Sequence, residues 1–388
     1  MNPTEPRLLR VEVVGDLPIL WATLQRLELP AALDRHFLTP LHWKGPLTPG
    51  EVLSLWLLFL VSQGDHCLNH VSAWAEQHHG TLSALLGKTV LPVHFHDDRL
   101  ADCLSRLGSG DSFARLEGDL NRQTVRVYQL PTDTVRIDAT TANSYADVLS
   151  EKGLLQFGHS KDDPDRPQFK IAAAVLDPLG MPLATAVVPG NTADDPLYVP
   201  AIQAVRESLG TGGRTYIGDC KMGALATRAF VAAGGDFYLC PLAESQLSRA
   251  ERRELLRPVW EGTRTLEQVR RPGPEGEPDE LVAEGFGVDV ELTATVDEQE
   301  LRWTERRWLV RSLAYAKSQE AALERRLERA TAALRELVVR KRGKKRLFHA
   351  ELMLAAEGIV AREGVEGLLS YTATAVMAER HQLSLIHI

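Results

Sequence analysis

The chain has 388 residues, of which 44% are hydrophobic and 25% charged, and its net charge is −8 at neutral pH. These values are typical of a soluble globular protein with two or three domains, and they exclude an overall basic character for nucleic-acid binding, which leaves only a local basic patch. The most apolar run, residues 52–61, has about half of the roughly 20 residues that a membrane span needs, and residues 1–10 do not have a signal-peptide pattern.

Helical patterns fill the chain from about residue 15 to residue 125. Apolar residues three and four positions apart predict helices over residues 17–27, 49–62, 68–77 and 99–107. The second is predicted to be buried, with Thr48 as its N-cap, Pro49 in its first turn and Glu51 as the acid of a capping box. We therefore predict a helical N-terminal domain over residues 1–130.

Strand patterns begin after Pro131. The predicted elements are strands at 135–138, 169–176 and 183–188, a helix at 196–209, a strand at 214–218, a helix at 224–233 and a strand at 237–240. This order predicts an α/β fold over residues 131–245, with a ribonuclease H-like mixed sheet and helices on its faces. Asp194 and Asp195 are predicted to cap the helix that follows them.

A third region is predicted over residues 246–388. It has a charged stretch at 251–271, an exposed loop at 272–278, strands at 285–296 and 306–312, and a long helix at 318–340. A heptad seam runs along that helix through Leu323, Leu327, Ala330, Leu334 and Leu337. The seam favours a helix hairpin within the chain over a dimer zipper.

Two of the predicted strands end in an aspartate, Asp138 and Asp219. The first and fourth strands of such a sheet are parallel neighbours, so their carboxyl ends would bring the two carboxylates together. Paired carboxylates on a rigid sheet hold Mg²⁺ for displacement reactions at phosphodiester bonds. A single aspartate at a strand end more often caps a loop, so the prediction of a metal site depends on the two residues meeting.

Short motifs surround these aspartates in a fixed order, at residues 137–141, 158–162, 189–194, 217–219 and 235–239. The ordered set resembles the DDE transposases of bacterial insertion sequences, in particular the insertion-sequence-four-like branch, over about residues 130–245. The resemblance implies a ribonuclease H-like catalytic core in which Asp138 and Asp219 are the first two acids and hold two Mg²⁺ ions. It also implies metal-dependent strand cleavage and strand transfer on double-stranded DNA, at transposon ends and target. A homodimer in the synaptic complex is compatible with it.

The third acid of that family is a glutamate in a tyrosine, arginine, glutamate, lysine pattern on a later helix. Neither Tyr315 nor Tyr371 begins such a pattern, and Glu324 and Glu328 have the spacing of solvated partners of nearby arginines. Residues 246–388 instead resemble the strand-rich insertion that precedes the catalytic helix. The sequence therefore predicts an incomplete and inactive fragment, with its third acid expected beyond residue 388.

Positive charge is concentrated between Arg302 and Arg346, where fifteen Lys or Arg face five Glu. Phosphate contact and a solvated helix face both explain this excess, and the acid-free end of the segment favours DNA. The predicted DNA-binding residues are one loop lysine and that end cluster: Lys161, Lys341, Arg342, Lys344, Lys345 and Arg346. His159 and Ser160, next to Lys161, are interpreted as loop residues near the site.

The four cysteines, at positions 67, 103, 220 and 240, form no CxxC pair. Neither a zinc site nor a disulfide framework is expected, and the protein is predicted to be cytoplasmic with no membrane partner. Two further functions stay open. One is a non-catalytic fragment that binds DNA or co-assembles with an intact protein, and the other is a ribonuclease H-like nuclease that cuts without preference for repeat ends.

Overall fold

The computed structural model describes residues 11–37, 39–40, 43–108, 110–150, 152–159, 163–274, 277–339, 347–378 and 381–387. The chain divides into two compact units. The first is Met1–Arg252 with Leu292–Trp303, and the second is Arg253–Glu291 with Thr304–Ile388. No helix within the described ranges is long and apolar enough to cross a membrane.

The N-terminal part of the first unit is helical, as predicted. Its helices are α1 (Leu17–Arg26), α2 (Leu29–His36), α3 (Pro49–Gln63), α4 (Val71–Gln77), α5 (His79–Leu86), α6 (Asp97–Leu107) and α7 (Ser112–Tyr128). Short 3₁₀ turns at Leu68–His70 and Pro92–Phe95 precede α4 and α6. One hydrophobic core joins α1–α7, because α3 is apolar on nearly all sides and lies at its centre.

The start of α3 shows how local sequence sets a helix boundary. The Thr48 hydroxyl accepts a hydrogen bond from the Glu51 backbone N at 3.2 Å, and the Glu51 carboxylate accepts one from the Thr48 backbone N at 2.8 Å. This reciprocal pair satisfies two N–H groups that a helix start would otherwise leave without partners. The predicted capping box and buried helix are both confirmed.

The remainder of the first unit is built on a five-stranded mixed sheet. The strands are β1 (Thr134–Asn143), β2 (Gln168–Leu176), β3 (Met181–Pro189), β4 (Thr215–Ile217) and β5 (Phe237–Leu239), in the order β3-β2-β1-β4-β5. β2 is antiparallel to β1 and β3, whereas β4 is parallel to β1 and β5. Helices α8 (Tyr198–Leu209) and α9 (Leu225–Ala233) provide the two crossovers. This confirms the predicted ribonuclease H-like α/β fold.

The two faces of this sheet differ in character. Val135 and Ile137 of β1 point into a core to which α7, α8 and α9 all contribute. The opposite face is exposed at Arg136 of β1 and at Phe237 and Leu239 of β5, whose exposures are 63% and 58%. The three helices therefore share one core, on the face of the sheet that carries Val135 and Ile137.

The second unit includes most of helix α10 (Arg249–Trp260) and of a three-stranded sheet in the order β6-β7-β8. These strands are β6 (Glu267–Arg271), β7 (Glu280–Val296) and β8 (Gln299–Ser312). Asp297 and Glu298, both at positive φ, form the two-residue turn between β7 and β8. Helices α11 (Leu313–Val338) and α12 (His349–Glu363) follow, and then a hairpin of β9 (Thr372–Ala378) and β10 (His381–His387).

The heptad seam of α11 packs within the chain. Ala330 and Leu334 are fully buried against Ala356, Ile359 and Val360 of α12. The predicted helix hairpin is confirmed, because the apolar stripe of α11 already has an intramolecular partner.

Candidate active site

Asp138 lies on the exposed face of β1. The alternation of a strand places Val135 and Ile137 in the core and Arg136 and Asp138 on the other side. The parallel register with β4 ends at Arg136 opposite Ile217. Asp138 and Asp219 each lie two residues beyond this last registered pair.

Asp219 follows β4 after one glycine. Its Oδ1 accepts hydrogen bonds from the Tyr198 hydroxyl at 2.7 Å and from the Lys221 backbone N at 2.8 Å. Both carboxylates are exposed, and within the described ranges no basic side chain forms an ion pair with either. The two negative charges therefore remain available to a cation.

Tyr198 is a site residue that sequence analysis missed. It is the first residue of α8, it is 4% exposed, and its hydroxyl donates to Asp219. Burial raises the pKa of Tyr198, the hydrogen bond to Asp219 raises it further, and the negative charge of Asp138 adds a smaller contribution. The hydroxyl therefore keeps its proton, donates a hydrogen bond to Asp219 and lies within the electrostatic influence of Asp138. The only sequence signal was an aromatic residue at a helix start.

Gly218 is required by the packing beneath Asp219. A Cβ atom at this position would lie 2.6 Å from Met222 Sδ and 2.8 Å from Tyr198 Cε1. Contacts this short are repulsive, so only glycine lets the tyrosine ring reach under the strand end. The groups that approach Gly218 closely are therefore the side chains of Met222 and Tyr198.

The donor set of this pair suits a hard cation. Two carboxylates on rigid elements, open to solvent on one side, match the preference of Mg²⁺ for a few oxygen ligands with several waters retained. Tyr198 donates to Oδ1 of Asp219 and does not occupy Oδ2. The residues present therefore fit part of a magnesium site.

Among the described residues, no group of three closely spaced metal-ligating side chains includes Asp138 or Asp219. The group of three found in the described ranges is Asp65, Cys67 and His70 in the helical region, whose ligand atoms lie within 4.8 Å of one another. Glu324 and Glu328 are exposed on α11 in the second unit, in keeping with their interpretation as solvated residues.

Other predicted residues have different outcomes. Asp194 does not cap the following helix through its side chain, because its Oδ1 accepts from Lys170 Nζ of β2 at 2.5 Å. His159 is exposed. The predicted DNA-binding residues all lie outside the described ranges, as does Ser160: Lys161, Lys341, Arg342, Lys344, Lys345 and Arg346.

No family model matches the chain, and no curated protein matches it. Among solved structures, a piggyBac transposase synaptic complex with hairpin DNA is similar with 10% identity and a TM-score of 0.31, covering 63% of this chain and 54% of that chain. A Mos1 transposase paired-end complex with the left transposon end has 10% identity and a TM-score of 0.21, covering 66% and 92%. A pre-cleavage Mos1 transpososome has 9% identity and a TM-score of 0.21, covering 66% and 85%. The chain spans about half the length of the piggyBac chain, and TM-scores this low carry no weight for fold or function.

Proposed function

We propose that this chain derives from a DDE-type DNA transposase that cleaves and rejoins DNA at the ends of an insertion sequence. The observation that supports the proposal is the parallel register of β1 and β4, whose last pair, Arg136 and Ile217, lies two residues before each of the exposed aspartates Asp138 and Asp219. The ordered motifs around these two residues support the same function.

In this proposal Asp138 and Asp219 would hold two Mg²⁺ ions. When bound, Mg²⁺ would activate the attacking oxygen and stabilise the leaving one. Tyr198 orients Asp219 by donating to Oδ1, and Gly218 makes room for that ring. The attacking group is water in cleavage and the freed 3′-hydroxyl in strand transfer.

DNA contact is proposed for Lys161 and for the basic cluster that starts at Lys341. A homodimer in the synaptic complex and a cytoplasmic location belong to the same proposal. A second candidate function is favoured by the local positive charge of residues 302–346. In that alternative the chain binds DNA, or co-assembles with an intact protein, and does not cut.

The test compares Asp138→Asn and Asp219→Asn with a matched control, Asp133→Asn. Asp133 is also an exposed aspartate, but it precedes the first residue of β1, whereas Asp138 lies within that strand. Mg²⁺ binding is measured by calorimetry, and cleavage is measured on a plasmid that carries the DNA flanking the coding sequence. We expect both site variants to lose Mg²⁺ binding, while Asp133→Asn binds as the parent chain does.

Each result separates the alternatives. Weak cutting at the flanking ends that either site variant abolishes supports the transposase. DNA binding without cutting supports the non-catalytic fragment, and cutting without preference for those ends supports a general nuclease. Unchanged Mg²⁺ binding in both site variants overturns the assignment of the two aspartates.

A further inference from the structure

A second cluster of chemically reactive side chains lies in the helical region, independent of the proposed function. The segment between α3 and α4 contains Asp65, Cys67 and His70. A carboxylate oxygen, the thiol sulfur and an imidazole nitrogen from these residues lie within 4.8 Å of one another. No other group of this kind occurs in the described part of the chain.

The local fold explains why three residues so close in sequence converge. Gly64, at a φ of 63°, ends α3 in the left-handed conformation and turns the chain. The Asp65 Oδ1 then accepts a hydrogen bond from the Cys67 backbone N at 2.9 Å, which closes a tight turn. The 3₁₀ turn from Leu68 to His70 brings the imidazole back, and its Nδ1 lies 2.7 Å from Asp65 Oδ2.

The separations suit a tetrahedral metal centre. Zinc bonds of about 2.0–2.3 Å to oxygen, nitrogen and sulfur place tetrahedral ligand atoms about 3.3–3.8 Å apart. The three ligand atoms lie within 4.8 Å of one another, so their separations exceed the tetrahedral range by about 1 Å at most. The distance of 2.7 Å between Asp65 Oδ2 and His70 Nδ1 is shorter than that range by about 1 Å or less. Small side-chain rotations would therefore complete the geometry without moving the backbone.

Ligand chemistry selects the class of ion. A mixed set of sulfur, nitrogen and oxygen suits Zn²⁺ and related transition metals, whereas Mg²⁺ requires oxygen ligands. Three protein ligands leave a fourth position for water. The side chains are reachable, because Asp65 is 33% exposed and His70 is 56% exposed.

We propose that Asp65, Cys67 and His70 form a three-ligand site for Zn²⁺ or a similar divalent transition metal, with water as the fourth ligand. Binding would displace the proton of the Cys67 thiol, which passes to solvent, and would replace the hydrogen bond between His70 and Asp65. The turn hydrogen bond from the Cys67 backbone N would be kept.

A purely structural explanation accounts for part of the same arrangement. Hydrogen bonds from the Cys67 backbone N, from His70 and from the Cys67 thiol lower the pKa of Asp65 to about 2, so its carboxylate stabilises the turn in the absence of any metal. In that explanation the Cys67 thiol keeps its proton and donates to Asp65, whereas the metal site needs the thiolate, so a thiolate-to-metal signal distinguishes the two.

The test is a titration of the reduced, metal-free full chain with Co²⁺, followed by displacement with Zn²⁺. We expect one equivalent to bind with a thiolate-to-cobalt charge-transfer band, which Zn²⁺ then removes. Cys67→Ser should abolish the band and weaken Zn²⁺ binding by more than about 100-fold, since loss of even an outer-sphere partner costs about 10- to 100-fold. His70→Gln should weaken binding comparably.

Two controls assign the signal. Cys240→Ser changes a half-buried thiol elsewhere and should leave the band unchanged. Cys103 needs no variant, because it is 3% exposed and its burial raises its pKa to about 11, so it does not supply the thiolate. Asp138→Asn should also leave the band unchanged, which separates this site from the proposed magnesium pair. Absence of the band in the parent chain overturns the proposal, as does equal Zn²⁺ affinity in the parent chain and Cys67→Ser, provided that the metal-free proteins melt alike.

Discussion

Asp236 and Arg206 form an ion pair inside the first unit. The Asp236 side chain is fully buried, and that of Arg206 is 10% exposed. Arg206 Nε and Nη2 both lie 2.9 Å from Asp236 Oδ2, and the Arg214 backbone N donates to Oδ1 at 3.1 Å. The pair joins the end of α8 to the segment between α9 and β5.

Replacing Asp236 with asparagine removes the charge and keeps the shape. Loss of one partner of a buried ion pair costs about 3–5 kcal/mol, because the other charge stays buried without compensation. Arg206 cannot easily move away, since its guanidinium lies so close to Gly234 that a Cβ there would be 2.1 Å from Nη2. The backbone oxygens of Phe230 and Val231 still accept from Nη2, so we expect a loss near the lower limit, about 3 kcal/mol.

The assay is urea denaturation at neutral pH, monitored by a signal from the first unit, with the free energy of unfolding obtained by linear extrapolation to water. A matched control is Asp102→Asn, which breaks the exposed i,i+4 pair with Arg106 on α6 in the same unit, and its effect should be much smaller. The double variant Arg206→Met/Asp236→Leu should be more stable than Asp236→Asn, because it leaves no buried charge. If Asp236→Asn and Asp102→Asn lose equal stability, the pair does not have the assigned role.

Three further predictions concern stability. Gly218→Ala should cost about 1–3 kcal/mol by overpacking against Met222 and Tyr198, and an unchanged urea midpoint would contradict the packing argument. Burial lowers the pKa of His94; stability is therefore full above the unfolded-state pKa of about 6.5 and is lost as pH falls through the folded-state pKa. His94→Gln should flatten the decline in stability between pH 7 and pH 5, and an equal slope in both proteins would refute this cause. Leu334→Ala should cost about 2–5 kcal/mol in the unfolding of the second unit, and a loss below 1 kcal/mol would mean that the α11–α12 seam contributes little.

Features set by local interactions were predictable from sequence. The Thr48–Glu51 capping box depends on residues three apart, so its pattern and its hydrogen bonds coincide. The order of strands and helices from Val135 to Leu239 is also local, and chain connectivity then allows few sheet topologies. For that reason the sheet order, with β1 and β4 as parallel neighbours, followed from the pattern.

Features set by distant partners were not predictable. Asp194 has the sequence position of a helix cap, but its carboxylate accepts from Lys170 of β2, a partner 24 residues away in the chain. β1 was predicted to end at Asp138 and in fact continues to Asn143, since β2 supplies hydrogen-bonding partners along that whole length. Asp65, Cys67 and His70 were not predicted as a group, because they converge only through the left-handed Gly64 and the turns that follow it.

Helix α8 is linked by hydrogen bonds to both ends of β4, and these bonds hold Asp219 in place. Near its N-terminus Tyr198 binds Asp219, which follows β4. Eight residues later Arg206 binds Asp236, which also accepts from the backbone N of Arg214 just before β4. The two helix positions are about 12 Å apart, and the strand segment between Arg214 and Asp219 spans about 16 Å, so the helix runs along β4 in the opposite direction. Asp219 is thus positioned by α8 and β4, and the following loop adds one hydrogen bond. Loss of the Tyr198–Asp219 bond or of the Arg206–Asp236 pair is expected to shift Asp219 relative to Asp138 before the sheet unfolds.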